Sequence, residues 1–365
     1  MQVVLFHSVL AFLPGDGWWS ATWARFVYDG FSAVWIFFLI SGAVLTLSFG
    51  RDAPSVLAPA AKRVVRLFLP VAAAAVVAVL LLAAFPRAHL LAAEISGSAW
   101  LAMDSAGAAT PGHLLREIGL DSLLLGYRES TLFPSLAPSL TPMTESLNAP
   151  FWSLHVELYG SFLVLALVAL RLRSRWLHAA AVVALAIICP AQPLLLFVIG
   201  HLAARALHAR APALLGAVLL VVGIGLCADK DWIAVEWLRT LLGRIALVDP
   251  PNLYQFASQI GAIAVFAGVL LCPPVRALLA TRPLQRLGAL SFSIYLLHFP
   301  ILFTLVSVTF VAMAALPHAL TAAIAIAAEI TLTLAAAIIF ERWIDRPATA
   351  LSRRVGTALR RTLPA

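Results

Sequence analysis

Asn148 to Gly160 reads N-A-P-F-W-S-L-H-V-E-L-Y-G and runs, with no turn residue, into the apolar segment Ser161 to Leu170. His155 and Glu157 are thereby placed near one end of a helix of membrane-spanning length. A carboxylate costs roughly 2.5–3.5 kcal/mol at the bilayer centre and less near an end. Such a residue should face protein or water, as a functional group or as an interfacial Glu reaching the headgroups. The residues alone leave both readings open.

Working outward, the whole chain has the same character. It is 62% hydrophobic and 12% charged, where a soluble domain carries about 25% charged residues, and its mean hydropathy is +0.97. The apolar runs do not alternate as barrel strands do. The fold class expected is therefore all-α: a polytopic membrane helix bundle of about ten transmembrane helices. The candidate spans are Met1–Leu13, Phe31–Phe49, Leu67–Phe85, Phe151–Leu170, Trp176–Ile188, Leu194–Leu207, Ala213–Cys227, Leu253–Cys272, Leu287–Met313 and Ala319–Phe340. The first is too short for a span, which needs about 20 residues, and reads as the back half of a helix. It lacks the basic flank and cleavage site of a signal peptide. Pro86 to Pro150 is a long polar stretch with a short amphipathic helix expected at His113–Gly126. Cys189-Pro190-Ala191-Gln192-Pro193 reads as a tight turn. Asp229 to Asn252 is polar and carries Trp232 and Trp237, suited to the membrane interface.

The net charge of +8 follows topology rather than nucleic-acid binding. Placing the loops after even-numbered spans and the C-terminal tail on one side collects 18 of the 25 Lys and Arg residues. By the positive-inside rule that side is cytoplasmic. Both termini are then cytoplasmic and the Pro86–Pro150 loop lies outside. Three cysteines, Cys189, Cys227 and Cys272, are too far apart to suggest a disulfide framework or a metal site.

Several polar residues interrupt the apolar runs. His7 is either a packed histidine or a general base, for which an ordinary pKa of about 6.5 is suitable. Ser41-Gly42 inside the second span lets another backbone or a ligand approach closely. Arg63 and Arg66, in K-R-V-V-R-L-F-L-P (Lys62–Pro70), share a helical face at the cytoplasmic edge. They suit phosphate groups, topology anchoring or lipid headgroups. Ser291, Tyr295 and His298 form a polar stripe that should face a cavity or the bundle interior. Glu329 sits centrally in the last span and should not face lipid. No G-x-S-x-G, Gly-rich phosphate loop or H-E-x-x-H motif occurs.

Taken in order, His7, Val34–Gly42, Lys62–Pro70, Trp152–Glu157 (W-S-L-H-V-E), Ser291–His298 and Glu341–Pro347 resemble the motifs of the acyltransferase 3 family of multi-spanning membrane acyltransferases. Ala33 and Ala43 replace the usual Gly and aromatic, Phe292 a common Tyr, and Asp345-Arg346-Pro347 stands for E-R-P. The resemblance implies transfer of an acyl group, often acetyl, from acyl-CoA as co-substrate to a hydroxyl of a carbohydrate or glycolipid acceptor. No other cofactor, no metal and no nucleic acid is implied. His7 and Glu157 would be catalytic and close together. Arg63 and Arg66 would hold the donor phosphates, while Ser41, Trp152, Ser153, Tyr295 and His298 would line the substrate path. The setting implied is a bacterial-type inner membrane, with membrane lipid as a partner. A transmembrane domain over residues 1–345 would be followed by a basic cytoplasmic tail over 346–365, the stand-alone form of the family. A family Arg should precede His7 by eleven positions, so the coding frame is expected to continue upstream of Met1.

A transporter or flippase of glycan or lipid intermediates would share this architecture, but no paired broken spans in two related halves are visible. A scaffold would leave His7, Glu157, His298 and Glu329 without a use.

Overall fold

A computed structural model describes residues 1–15, 17, 22–52, 56–102, 110–188, 192–205, 212–228, 237, 240 and 253–362. The chain separates into two units. One comprises Met1–Asp16, Lys62–Leu158 and Arg286–Arg354; the other comprises Gly17–Ala61, Tyr159–Gln285 and Val355–Ala365. Among the described residues the secondary structure is entirely helical. In a bilayer this is the expected solution, because an α-helix satisfies its own backbone groups where no water can.

The main helices are α1 (Gln2–Phe12), α2 (Gly30–Asp52), α3 (Leu57–Ala84), α4 (Ala88–Ser96), α5 (Pro111–Arg116), α6 (Leu154–Arg173), α7 (Arg175–Ile188), α8 (Leu194–Ala203), α9 (Ala213–Ala228), α10 (Leu253–Leu271), α11 (Pro273–Leu279), α12 (Arg282–Ile301), α13 (His318–Phe340) and α14 (Arg346–Thr362). Each expected apolar stretch contains a helix over most of its described residues. The count of about ten spans is not confirmed, however. Among the described residues five helices are long and apolar enough to cross a membrane: Gly30–Gly50, Leu57–Ala84, Ala149–Arg173, Arg282–Ala312 and His318–Arg361. A sixth arises if the pair α10 and α11, bent by 92°, counts as one span. The remaining apolar helices α1, α7, α8 and α9 are 10–17 residues long, about 15–26 Å at 1.5 Å per residue, against a hydrocarbon core of about 30 Å. Hydropathy marks an apolar run without measuring how far its helix extends. The α10–α11 bend falls at Cys272-Pro273-Pro274, where the prolines lack the N–H that would continue the ladder.

Among its described residues, the Pro86–Pro150 stretch is more helical than its composition suggests. The helix expected at His113–Gly126 is present as α5 followed by a wide helical turn, Glu117–Leu125, ending at Gly126 with φ 76°. The described part of the tail is helical too. The last span continues through a wide turn at Glu341–Asp345 into α14, so residue 345 falls inside a continuous helix. Cys189, Pro190 and Ala191 of the expected turn lie outside the described residues, as do Trp232 and nearly all of Asp229–Asn252.

In the second unit, glycines set the packing. A Cβ on Gly42 would collide with the Phe197 backbone, and one on Gly200 with the carbonyl of Leu39, so α2 and α8 lie backbone to backbone. The Ser41-Gly42 pair thus permits a close helix approach, one of the two uses expected for it. Gly223 faces Val265 and Gly261 in the same way, joining α9 to α10 by the small-residue contact common in membranes.

Candidate active site

The first unit holds His7, Arg63, Arg66, Trp152, Ser153, Glu157, Tyr295 and His298. Ser41 lies in the other unit. Within the first unit the polar residues meet in three sets.

The first set is a histidine pair. His7 Nδ1 lies 2.9 Å from His298 Nε2, and the rings are nearly parallel with centroids 5.1 Å apart. His298 Nδ1 lies 2.8 Å from the carbonyl oxygen of Tyr295. A carbonyl only accepts, so His298 Nδ1 carries the proton. Neutral His298 then offers a lone pair at Nε2, and His7 donates from Nδ1. The tautomer of His7 is thereby fixed, with the lone pair left on its Nε2. Trp100 stacks on His7 at 5.2 Å, and Phe299 meets it edge-on at 5.8 Å. Trp100 is placed by Ser98, whose Oγ donates to the Leu10 carbonyl at 2.6 Å, tying the segment after α4 to α1. His298 is fully buried, whereas His7 is only partly so.

The second set begins one turn earlier on α12. The Tyr295 hydroxyl donates to the Pro150 carbonyl and accepts from Ser153 Oγ at 2.7 Å. Asn148 Nδ2 donates to the Leu296 carbonyl at 2.8 Å. The start of α6 is therefore pinned along α12 beside the histidine pair.

The third set consists of ion pairs. Arg63 pairs with Glu157. Arg66 makes a two-pronged pair with Asp345, its second contact at 3.1 Å, and lies over the Phe292 ring at 5.2 Å. Glu157 is 1% exposed, and a carboxylate so buried needs a cation. The two residues expected to act together thus have different partners: His298 for His7, Arg63 for Glu157. Arg66 uses two of its five N–H donors on Asp345.

At the end of α6 expected to be extracytoplasmic lies an acidic cluster. Glu117 and Asp121 are fully buried. Glu117 Oε1 accepts from the Tyr127 hydroxyl at 2.6 Å, and Asp121 pairs with Arg116 at 3.1 Å and accepts from Thr141 at 2.8 Å. Burial raises the Glu117 carboxyl to a pKa of about 8, with the Asp121 charge adding to it. The Tyr127 hydroxyl and the Asn148 and Leu147 amides act against the rise. Burial, with the neighbouring Glu117, also pushes the Tyr127 hydroxyl up. Gly126 closes over buried His155: a Cβ there would lie 2.6 Å from the imidazole Cε1, and φ is positive, so only glycine fits.

Sequence reasoning does not single out Trp100, Glu117, Asp121 or Tyr127. Each is an isolated aromatic or acidic residue in a stretch that reads as a polar loop, and the bulk of Trp100 is the signal that could have pointed to inward packing. Asp345 enters only as part of a terminal motif. In the last span Glu329 is fully buried and accepts from Thr333 at 3.0 Å.

Helices of membrane-spanning length that enclose a hydrogen-bonded histidine pair define a class of multi-helix membrane protein. Sequence comparison narrows that class. The chain belongs to the acyltransferase 3 family, whose model, described as an acyltransferase domain, matches residues 1–342 of 365. It is accordingly an integral membrane protein and a membrane acyltransferase, with an acyl donor and an acceptor as substrates. No curated protein and no solved structure matches.

Proposed function

We propose that this acyltransferase is an O-acyltransferase that moves an acyl group, acetyl in the simplest case, from acyl-CoA to a hydroxyl of a carbohydrate or glycolipid acceptor. The setting is a bacterial-type inner membrane, with both termini in the cytoplasm. The observation that carries the reading is the His7–His298 pair. His7 Nε2 takes the acceptor hydroxyl proton as the oxygen attacks the thioester carbonyl. The C–O bond forms, the C–S bond breaks, and the proton passes from His7 to the departing thiolate to give free CoA and an ester. His298 accepts from His7 Nδ1–H throughout. Its bond strengthens when His7 is charged, because hydrogen bonds to ionised groups are roughly twice as strong.

Arg63 and Arg66 face the donor. Glu157 and Asp345 hold their guanidinium planes, leaving Arg66 with free N–H donors for a phosphate oxygen. Glu157 contributes to turnover by positioning Arg63. Tyr295, Ser153 and Trp152 line the path to His7. Free-thiol release from acetyl-CoA by purified protein, with and without a sugar acceptor, tests this reading. Thiol release matched by acylated acceptor supports it. A transporter would release none.

A further inference from the structure

The segment Leu158 to Ala228 contains Arg171, Arg173, Arg175, Arg205 and Arg210 but no Asp or Glu. Its cations therefore contrast with Arg63 and Arg66, each held by a carboxylate. Among the described residues neither Arg171 nor Arg205 has an ion-pair partner, and both side chains are exposed.

Behind them, in the second unit, runs a chain of hydrogen bonds that nothing in acyl transfer uses. Thr46 Oγ1 donates to the Gly42 carbonyl at 2.7 Å. Having spent its proton, it accepts from His201 Nδ1–H at 2.8 Å. Neutral His201 then presents a lone pair at Nε2, which accepts from His178 Nε2–H at 2.8 Å. His178 Nδ1 is left as the open end, with no hydrogen-bond partner among the described residues. His201 is fully buried and His178 is 6% exposed. Arg171 and Arg205 stand close enough for their charges to act on each other and on both imidazoles. The Gly42 and Gly200 contacts hold α2 against α8, so the threonine and the inner histidine cannot drift apart.

Two guanidinium groups without a carboxylate partner stand near one another and repel; an anion would relieve that repulsion, and the open His178 Nδ1 lies beside them. We propose that Arg171, His178 and Arg205 form a binding site for a phosphate group, with His201 and Thr46 as positioning residues behind it. The guanidinium groups donate to the phosphate oxygens. A proton taken up at His178 Nδ1 turns the open end of the chain into a further donor. The same chemistry fits the phosphate of a soluble nucleotide and that of an anionic lipid headgroup. This site does not depend on the acyl-transfer reading, since its test measures binding without turnover.

The test titrates delipidated full-length protein in detergent by calorimetry. One arm uses adenosine 3′,5′-bisphosphate, with Arg66→Ala present in every protein compared so that the donor site does not contribute; the other uses dioctanoyl phosphatidylglycerol. At least one probe should bind wild type, and the Arg171→Gln/Arg205→Gln variant should bind it about 10- to 100-fold more weakly, as expected for charge-assisted contacts. Which probe shows the loss identifies the source of the phosphate. His178→Asn carries the same test if the double variant does not accumulate. Arg173→Gln, a neighbouring surface charge, should bind within about twofold of wild type. Thr46→Val should weaken binding and Thr46→Ser should restore it. Binding unchanged in both the arginine and His178 variants, no binding of either probe to wild type, or an equal loss in Arg173→Gln would overturn the proposal.

Discussion

Replacing His298 by leucine removes the acceptor 2.9 Å from His7 Nδ1 while keeping an apolar side chain in a fully buried position. In the resting enzyme the lost bond is between neutral groups and is worth about 0.5–1.5 kcal/mol. In the transition state His7 is gaining charge, and the same bond is worth roughly 1.5–3 kcal/mol. The difference alone predicts a fall of about 10-fold in kcat. Loss of the locked tautomer adds to it, because the proton of an unrestrained His7 can sit on the nitrogen that should act as base. The expected loss in kcat is about 10²- to 10³-fold, within the range that positioned general bases supply. The KM for acyl-CoA should stay within a few-fold. The His298→Gln variant, whose side-chain carbonyl oxygen can sit near the original Nε2, should recover part of the rate. The assay is initial-rate thiol release over a range of donor and acceptor concentrations, on protein eluting as a single species. A His298→Leu enzyme with kcat within twofold of wild type would refute the reasoning, because His7 would then need no partner.

Arg66→Ala should raise the apparent KM for acyl-CoA about 10- to 100-fold and that for the acceptor much less; steady-state kinetics with each substrate varied in turn checks this. The pKa of Glu117, raised from the ordinary 4.5 to about 8, means the folded protein keeps a proton that the unfolded chain releases. Stability contributed there is full below pH about 4.5 and is lost as pH rises to about 8. Melting temperature in detergent should fall across that window in wild type and fall less in Glu117→Gln. Gly42→Ala places a methyl group against the Phe197 backbone and should lower the melting temperature, by an overpacking cost of about 1–3 kcal/mol. An unshifted melting curve would mean that α2 and α8 are not in tight contact.

The helical architecture is legible in the sequence because an apolar run that does not alternate leaves the backbone no other way to satisfy itself. Span lengths are less so: Leu194–Leu207 reads as one apolar run, yet Ala204 and Arg205 already form a turn after α8, Leu194–Ala203. The site is legible in its residues but not in its pairings. His7 and His298 stand 291 residues apart, and no local period joins them. The family resemblance sets Glu157 near His7; the fold adds that its carboxylate pairs with Arg63, 94 residues away in sequence. Arg66 reads as an open cation because Asp345 lies 279 residues away. The cluster of Glu117, Asp121 and Tyr127 is hidden for a different reason. Buried acids in a structured loop have the same composition as solvated ones, and burial is a property of the packing.

In the proposed reaction His7 removes a proton during acyl transfer. The most direct test of that step follows acetyl-CoA thiol release and ester formation, by mass, on a sugar acceptor with purified wild type and His7→Ala, matched for elution profile and melting temperature. Wild type should give equimolar thiol and ester, with the rate reduced by about 10²-fold or more in His7→Ala. An ester formed by His7→Ala at the wild-type rate would contradict that role.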